Sequence, residues 1–187
     1  MQGLVDQLTT ADSREADAAI RAWAATADPQ LDELLALVRL APALRERLSS
    51  FTVVEAPSGH ITWREYEHVL WTLGEGFRQI LKRRPPLRRH PALFKAIAAL
   101  CTEAANRKGR ESFTMLLGQY GGPSQAPTLV GLLDDPEVDG HALLALRTLK
   151  APGGREAALR LLAQGNTWKR NEAKKYLRRL YPDEVAT

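Results

Sequence analysis

Apolar residues recur through most of the chain at intervals of three and four, which is the period of an amphipathic α-helix. The longest stripe ends just before the consecutive prolines Pro85-Pro86, where a helix cannot continue. Its members are Tyr66, Val69, Leu70, Leu73, Phe77, Ile80 and Leu81. The pattern predicts an all-α chain whose helices are joined by short connections.

Several helix starts are predicted from capping residues. Asp12 with Glu15, and Thr62 with Glu65, have the spacing of a capping box, in which two side chains satisfy the first free N–H groups of a helix. Asp28-Pro29 has the composition of an N-cap followed by a first-turn proline. Each of these sites precedes an apolar stripe, so each predicts the beginning of a helix.

One segment has a different pattern. Residues 51–56 are rich in β-branched side chains and lead into the turn signal Pro57-Ser58-Gly59. The composition predicts one short extended segment near residues 51–56, with a long loop as the alternative.

The last third of the chain repeats its apolar pattern. The copies are 31 residues apart in one set (Ala142, Leu146 and Leu149 with Ala173, Leu177 and Leu180) and 29 apart in the other (Val130, Leu132 and Leu133 with Leu159, Leu161 and Leu162). The pairs Asp135-Pro136 and Asn166-Thr167, which favour helix starts, precede the two copies of the first set. A period near 30 residues is typical of an α-solenoid, where each unit buries its stripe against its neighbours.

The repeated segment resembles a HEAT-like repeat. In that family a helix ends in paired leucines, an Asp-Pro turn follows, and the next helix packs through small residues and leucines. Leu132-Leu133, Asp135-Pro136 and residues 141–146 occupy these positions here, and residues 156–162 look like the second helix of the unit. The resemblance covers roughly residues 124–181 and implies an α-solenoid of antiparallel helix pairs. It departs from the family at residues 138–140, where a basic residue usually follows the turn.

Composition favours one soluble domain. The chain has 187 residues, enough to bury about 70% of its unfolded surface in a single domain spanning 1–187. Cys101 is the only cysteine, so no internal disulfide can form. The N-terminus lacks the features of a signal peptide, and the longest apolar run, residues 96–101, is too short to span a bilayer. These features predict a cytoplasmic protein that does not enter the membrane.

Charge is distributed unevenly along the chain. Residues 1–60 carry a net charge of −4, residues 61–120 a net charge of +6, and residues 121–187 a net charge of +2. An acidic helical segment, residues 1–60, therefore precedes a basic helical-repeat segment, residues 61–187. The asymmetry indicates either an acidic partner for the basic segment or a solvated surface whose charge aids solubility.

The residues that commonly carry chemistry are scattered. No two of the four histidines, His60, His68, His90 and His141, have a metal-ligand spacing, and Cys101 lies on an apolar stripe. No nucleophile elbow or phosphate-binding glycine loop is present. We therefore expect neither catalytic residues, nor a metal, nor a cofactor, and predict that the protein is not an enzyme.

The helix predicted over 167–181 has a basic outer side. Opposite its apolar stripe lie the cations Arg170, Lys174, Lys175, Arg178 and Arg179. Trp168 projects off the stripe, on the same side as Lys175 and Arg179. It is either an aromatic anchor for a partner or a cover for the preceding helix.

A second basic region follows the long central helix. The linker after that helix holds five fixed positive charges in eight residues: Lys82, Arg83, Arg84, Arg88 and Arg89. Trp71 and Arg78 lie off the main stripe of the helix itself. These residues either contact an acidic patch or phosphates, or form a solvated connector beside a packed tryptophan.

Two functions follow from these features. The first is a non-enzymatic scaffold, adaptor, regulator or inhibitor that binds another protein, one with an acidic patch, along a solenoid surface. The second is nucleic-acid binding through the basic faces of the 82–90 linker and the 167–181 helix. DNA glycosylases built of HEAT-like repeats also exist, but they pair an acidic residue with aromatics in a cleft, and this chain has no evident pairing of that kind.

Overall fold

A computed structural model describes residues 3–56 and 59–182. The described residues are mostly helical, which confirms the prediction of a mainly helical chain. It forms two compact units, residues 1–113 and 114–187. The unit boundary thus lies well beyond residue 60, where the net charge changes sign. No helix in the described ranges is long and apolar enough to cross a membrane.

Unit 1 is built around one long helix. Its helices are α1 (Leu4–Thr10), α2 (Ser13–Thr26), α3 (Leu31–Arg39), α4 (Ala41–Arg47), α5 (Glu65–Arg83) and α6 (Pro91–Thr102). Helix α5 contacts α2 and α4 and a 3₁₀ segment over residues 104–110. The predicted stripe of α5 is buried, because all seven of its apolar members are at most 5% exposed.

The extended segment is confirmed as one strand of a hairpin. Strand β1 (Phe51–Ala56) pairs antiparallel with β2 (Gly59–Arg64), in a register that places Phe51 opposite Arg64 and Thr52 opposite Trp63. The second strand has no counterpart among the sequence predictions. The predicted turn at Pro57-Ser58 lies outside the described residues.

Two of the predicted helix starts are wrong and one is confirmed. Asp12 caps α2 as expected, and its carboxylate accepts from the backbone N–H groups of Arg14 and Glu15. Helix α5 begins at Glu65 because the chain is still in β2 at Thr62 and Arg64. Helix α3 begins at Leu31, and Asp28 forms an ion pair with Arg84 instead of capping α3.

Unit 2 contains the repeated segment. Helix α7 (Glu111–Leu116) crosses the unit boundary and runs into a π-helical segment, Leu117–Gly121. The other helices are α8 (Ala126–Gly131), α9 (Asp139–Leu149), α10 (Arg155–Gln164) and α11 (Thr167–Leu180). Helix α9 contacts α8, α10, α11 and the π-helical segment, so it lies at the centre of unit 2.

The starts of the two copies differ in the structure. Asn166 is the N-cap of α11, and its side chain accepts from the Lys169 N–H at 2.9 Å. Asp135-Pro136 does not start α9, which begins at Asp139 after a turn in which the Asp135 carbonyl accepts from the Asp139 N–H at 2.8 Å. Leu132 and Leu133 lie in the preceding turn, beyond the end of α8 at Gly131.

Burial follows the 31-residue repeat. Ala142 and Leu146 are fully buried, and so are their counterparts Ala173 and Leu177. Leu149 and Leu180, the third pair, are both half-buried. Equivalent positions on α9 and α11 therefore pack in equivalent ways, although the two helices carry different outer faces.

Gly118 permits close packing of the π-helical segment against α9. A Cβ at this position would lie 2.6 Å from the Ala145 Cα and 2.8 Å from its carbonyl oxygen, both of which are backbone atoms that cannot rotate away. We expect Gly118→Ala to lower the free energy of unfolding by about 1–3 kcal/mol, measured by urea denaturation. Gly131→Ala is the matched control, because a Cβ there meets no atom within 4 Å; equal stability of the two variants would contradict the packing described.

Candidate functional site

The inner face of α11 fixes its position on α9 and α10. Ala173, Tyr176 and Leu177 are fully buried. The Tyr176 hydroxyl donates to the Ala151 carbonyl at 3.0 Å and accepts from the Gly154 N–H at 2.9 Å. Burial raises the pKa of Tyr176 to about 12, so the hydroxyl keeps its proton. Helix α11 is thereby tied to the loop that joins α9 to α10.

Two buried carboxylates fasten α11 to α9 and engage some of the cations. Glu172 is 4% exposed and accepts from Arg147 at 2.9 Å and from Lys175 at 2.6 Å. Asp139 is 5% exposed and lies 2.6 Å from the Lys169 Nζ. Lys175, predicted as a partner-binding residue, thus has an intramolecular partner while its side chain remains 54% exposed.

The remaining predicted cations of α11 lie together on its outer face. Arg170, Lys174, Arg178 and Arg179 are exposed, and none of them pairs with a carboxylate within residues 3–56 or 59–182. Successive members of the row Arg170, Lys174 and Arg178 are four residues apart, which is a rise of about 6 Å per step along a helix. We call these four residues the α11 basic face.

Trp168 lies beside the α11 basic face in a fixed orientation. Its ring centroid is 4.6 Å from that of His141 on α9, and its six-membered ring occupies the space left by the missing side chain of Gly140. The residue remains 40% exposed. Trp168 therefore covers the start of α9. Its contacts with His141 and Gly140 hold the ring in one orientation, and the rest of its aromatic surface is exposed.

His141 lies under Trp168 and is neutral at physiological pH. Burial, reinforced by the positive charge of Lys169, lowers its pKa to about 4. The neutral imidazole lets an indole pack on it without a charge being desolvated. His141 and Lys169 are site residues that sequence reasoning missed, because α10 separates the helix of His141 from α11 along the chain.

The lowered pKa of His141 predicts acid sensitivity. A histidine whose pKa is lower in the folded state takes up protons on unfolding, so stability is complete above about pH 6.5 and falls as the pH drops toward 4. At pH 5, protonation of His141 in the unfolded state should lower the free energy of unfolding by about 2 kcal/mol relative to pH 7. Urea unfolding of the wild type and of His141→Phe at both pH values measures the difference; equal pH dependence in the two proteins would contradict it.

Trp71 and Arg78 are brought together in unit 1. Both line a cavity of about 240 Å³ between α2 and α5. Trp71 is half-buried and stands edge-on to Trp63, with ring centroids 6.3 Å apart. Arg78 forms an ion pair with Glu75 at 2.6 Å. The tryptophan is thus packed against Trp63, in agreement with one of the two interpretations, and it also lines the cavity.

Three arginines of the basic linker have structural partners in unit 1. Arg83 donates to the Ala24 carbonyl at 2.7 Å, at the end of α2. Arg88 donates to the Leu81 and Lys82 carbonyls, each at 2.7 Å, at the end of α5, and Arg84 is paired with Asp28. The side chains of Lys82 and Arg89 are exposed and form no hydrogen bond or ion pair with a described residue. The linker therefore offers less free charge than its composition suggests.

No family model matches the chain, and no curated protein or solved structure matches it either.

Proposed function

We propose that the protein is a non-enzymatic helical-repeat binding protein, acting as an adaptor, regulator or inhibitor, whose α11 basic face contacts an acidic patch on another protein. The observation that carries this proposal is the difference between the two classes of cation on α11. Lys169 forms an ion pair with Asp139, and Lys175 forms one with Glu172. The four members of the α11 basic face form no ion pair with a carboxylate of the described residues. Charge of one sign concentrated on one helix face steers association with an acidic surface.

Trp168 supplies a second component of the proposed contact. Affinity at protein interfaces is concentrated in a few residues, among which Trp and Arg are over-represented. Because the ring is already held against His141, little side-chain entropy is lost when a partner covers its exposed surface. The α11 basic face would provide orientation and fast association, and Trp168 would add to the affinity.

The proposed architecture is an α-solenoid of HEAT-like units over α8 to α11. It is supported by the matching burial of Ala142 with Ala173 and of Leu146 with Leu177. It is supported also by the contacts of α9 with α8, α10 and α11. A short array of this kind exposes its non-repeating outer faces, and the proposed binding surface lies on such a face.

Nucleic-acid binding is the second candidate. Exposed aromatic surface beside a row of cations is the combination that single-strand binders use, with base stacking on the aromatic ring. This alternative predicts an affinity for DNA or RNA that falls steeply with salt, by about 0.9 log units per phosphate contact per log unit of salt on duplex DNA. Absence of binding to duplex and single-strand probes at low salt would contradict nucleic-acid binding.

Site-specific crosslinking tests the proposal. Asn171 is exposed between Arg170 and Lys174, and Cys101 is buried, so Asn171→Cys can be labelled selectively with a photo-crosslinker. We expect protein adducts from native lysate at this site, and none from the matched control Gln164→Cys, an exposed position at the end of α10. Nuclease-sensitive adducts would favour the second candidate, and equal protein adducts at both positions would contradict the proposed face.

A further inference from the structure

The hairpin of unit 1 presents a strand edge that the proposed function does not use. Trp63 holds one face of the hairpin against the unit, since it is 7% exposed and in edge contact with Trp71. Side chains alternate across a strand, so Phe51 and Val53 lie on the opposite face. They are 66% and 63% exposed, the highest values among the large exposed apolar residues in the described ranges.

One backbone bond fixes which main-chain groups of β1 point outward. The Glu65 N–H donates to the Ser50 carbonyl at 2.8 Å, so residues 50 and 65 form a hydrogen-bonded pair at the base of the hairpin. Hydrogen-bonded and non-hydrogen-bonded pairs alternate in an antiparallel ladder, and Phe51 and Val53 therefore direct their N–H and C=O groups away from β2. Within the described ranges, none of these four groups forms a backbone hydrogen bond to a residue outside the hairpin.

We propose that the outer edge of β1 binds an extended peptide segment of a partner protein, which adds a third strand to the hairpin. The outward N–H and C=O groups of Phe51 and Val53 require a partner in extended conformation. The two exposed side chains provide apolar contacts for the residues of the segment that share their face. The Arg64 guanidinium lies 4.5 Å from the centre of the Phe51 ring, so an acidic residue opposite Phe51 fits the local charge.

The size of the edge favours a peptide over a second copy of the chain. A six-residue strand is only about 20 Å long, and pairing along it alone buries far less than the roughly 1,200 Å² of a stable specific interface. A two-stranded hairpin also gains from a third strand, because isolated hairpins are only marginally stable in water. A flexible peptide segment can pair along this short edge and supply the third strand, and it does not require contact with a second globular surface.

The test uses a fluorescently labelled octapeptide of alternating valine and threonine with a terminal glutamate, because main-chain bonds make much of the affinity independent of sequence. Val53→Pro removes the outward N–H of Val53, and an edge strand tolerates proline where that N–H faces solvent. Val53→Thr is the matched control, since it keeps both the N–H and the β-branched shape. We expect Val53→Pro to weaken binding by at least about tenfold with an unchanged melting temperature, and Val53→Thr to weaken it much less.

A second arm leaves the protein unchanged. Two versions of the octapeptide carry N-methyl groups on alternate residues, one on the odd and one on the even positions. Only the set that faces β1 should abolish binding. The proposal is overturned by equal effects of the two sets, by equal binding to Val53→Pro and wild type, or by no binding of the parent peptide up to about 1 mM. A concentration-dependent dimer that Val53→Pro dissolves would also overturn it, because the occupant would then be a second copy.

Discussion

Replacing Lys174, Arg178 and Arg179 by glutamate is expected to abolish binding to the partner, with a loss of affinity of at least about 100-fold. The three side chains are exposed and have no described carboxylate partner. Reversal therefore turns attraction into like-charge repulsion without breaking any ion pair among residues 3–56 and 59–182. Isothermal titration or surface plasmon resonance with the captured partner measures the loss.

The matched control reverses the same number of charges elsewhere. Arg14, Arg39 and Lys95 are exposed cations of unit 1 that were not predicted to bind, and their replacement by glutamate changes the net charge equally. Both triple variants should fold normally, since exposed substitutions usually change stability by less than about 0.5 kcal/mol each. If the control loses as much affinity as the α11 variant, net charge rather than the α11 basic face governs binding.

The second large effect concerns the repeat. Leu146→Ala and Leu177→Ala are each expected to lower the free energy of unfolding by about 2–5 kcal/mol, because each removes a fully buried leucine and leaves a cavity. Leu149→Ala and Leu180→Ala, the third pair of equivalent positions, should lower the free energy of unfolding clearly less, since both leucines are half-buried.

Chemical denaturation of the four variants measures the pattern. If the two helices pack equivalently, the loss in free energy of unfolding should be similar for the two members of each pair of equivalent positions. A large cost at Leu146 with a small one at Leu177 would mean that α11 contributes little to the packing of unit 2, contrary to its burial.

The helices were predictable because their signal is local. The stripe from Tyr66 to Leu81 and the capping box at Asp12 each depend on residues within a few turns of one another, and both are confirmed. The same locality misled the prediction at Thr62 and Glu65. Their spacing matches a capping box, yet Thr62 lies in β2 and pairs with Val53, a contact that no local spacing reveals.

The outer face of α11 was predictable for the same reason, since the period of the helix separates Arg170, Lys174 and Arg178 from the buried stripe. What the sequence did not reveal is which cations are neutralised. Glu172 accepts from Arg147 across 25 positions of sequence, and Arg84 pairs with Asp28 across a still longer separation. Contacts of this kind depend on how helices pack, so the distinction between structural and free cations required the structure.

Capture from native lysate, with and without nuclease, tests the central claim most directly when wild type and the α11 triple variant are compared side by side. We predict a protein that the wild type retains after nuclease treatment and that the variant with Lys174, Arg178 and Arg179 reversed does not retain. A partner lost on nuclease treatment, or one held equally by wild type and variant, would contradict the proposal that the α11 basic face binds an acidic protein.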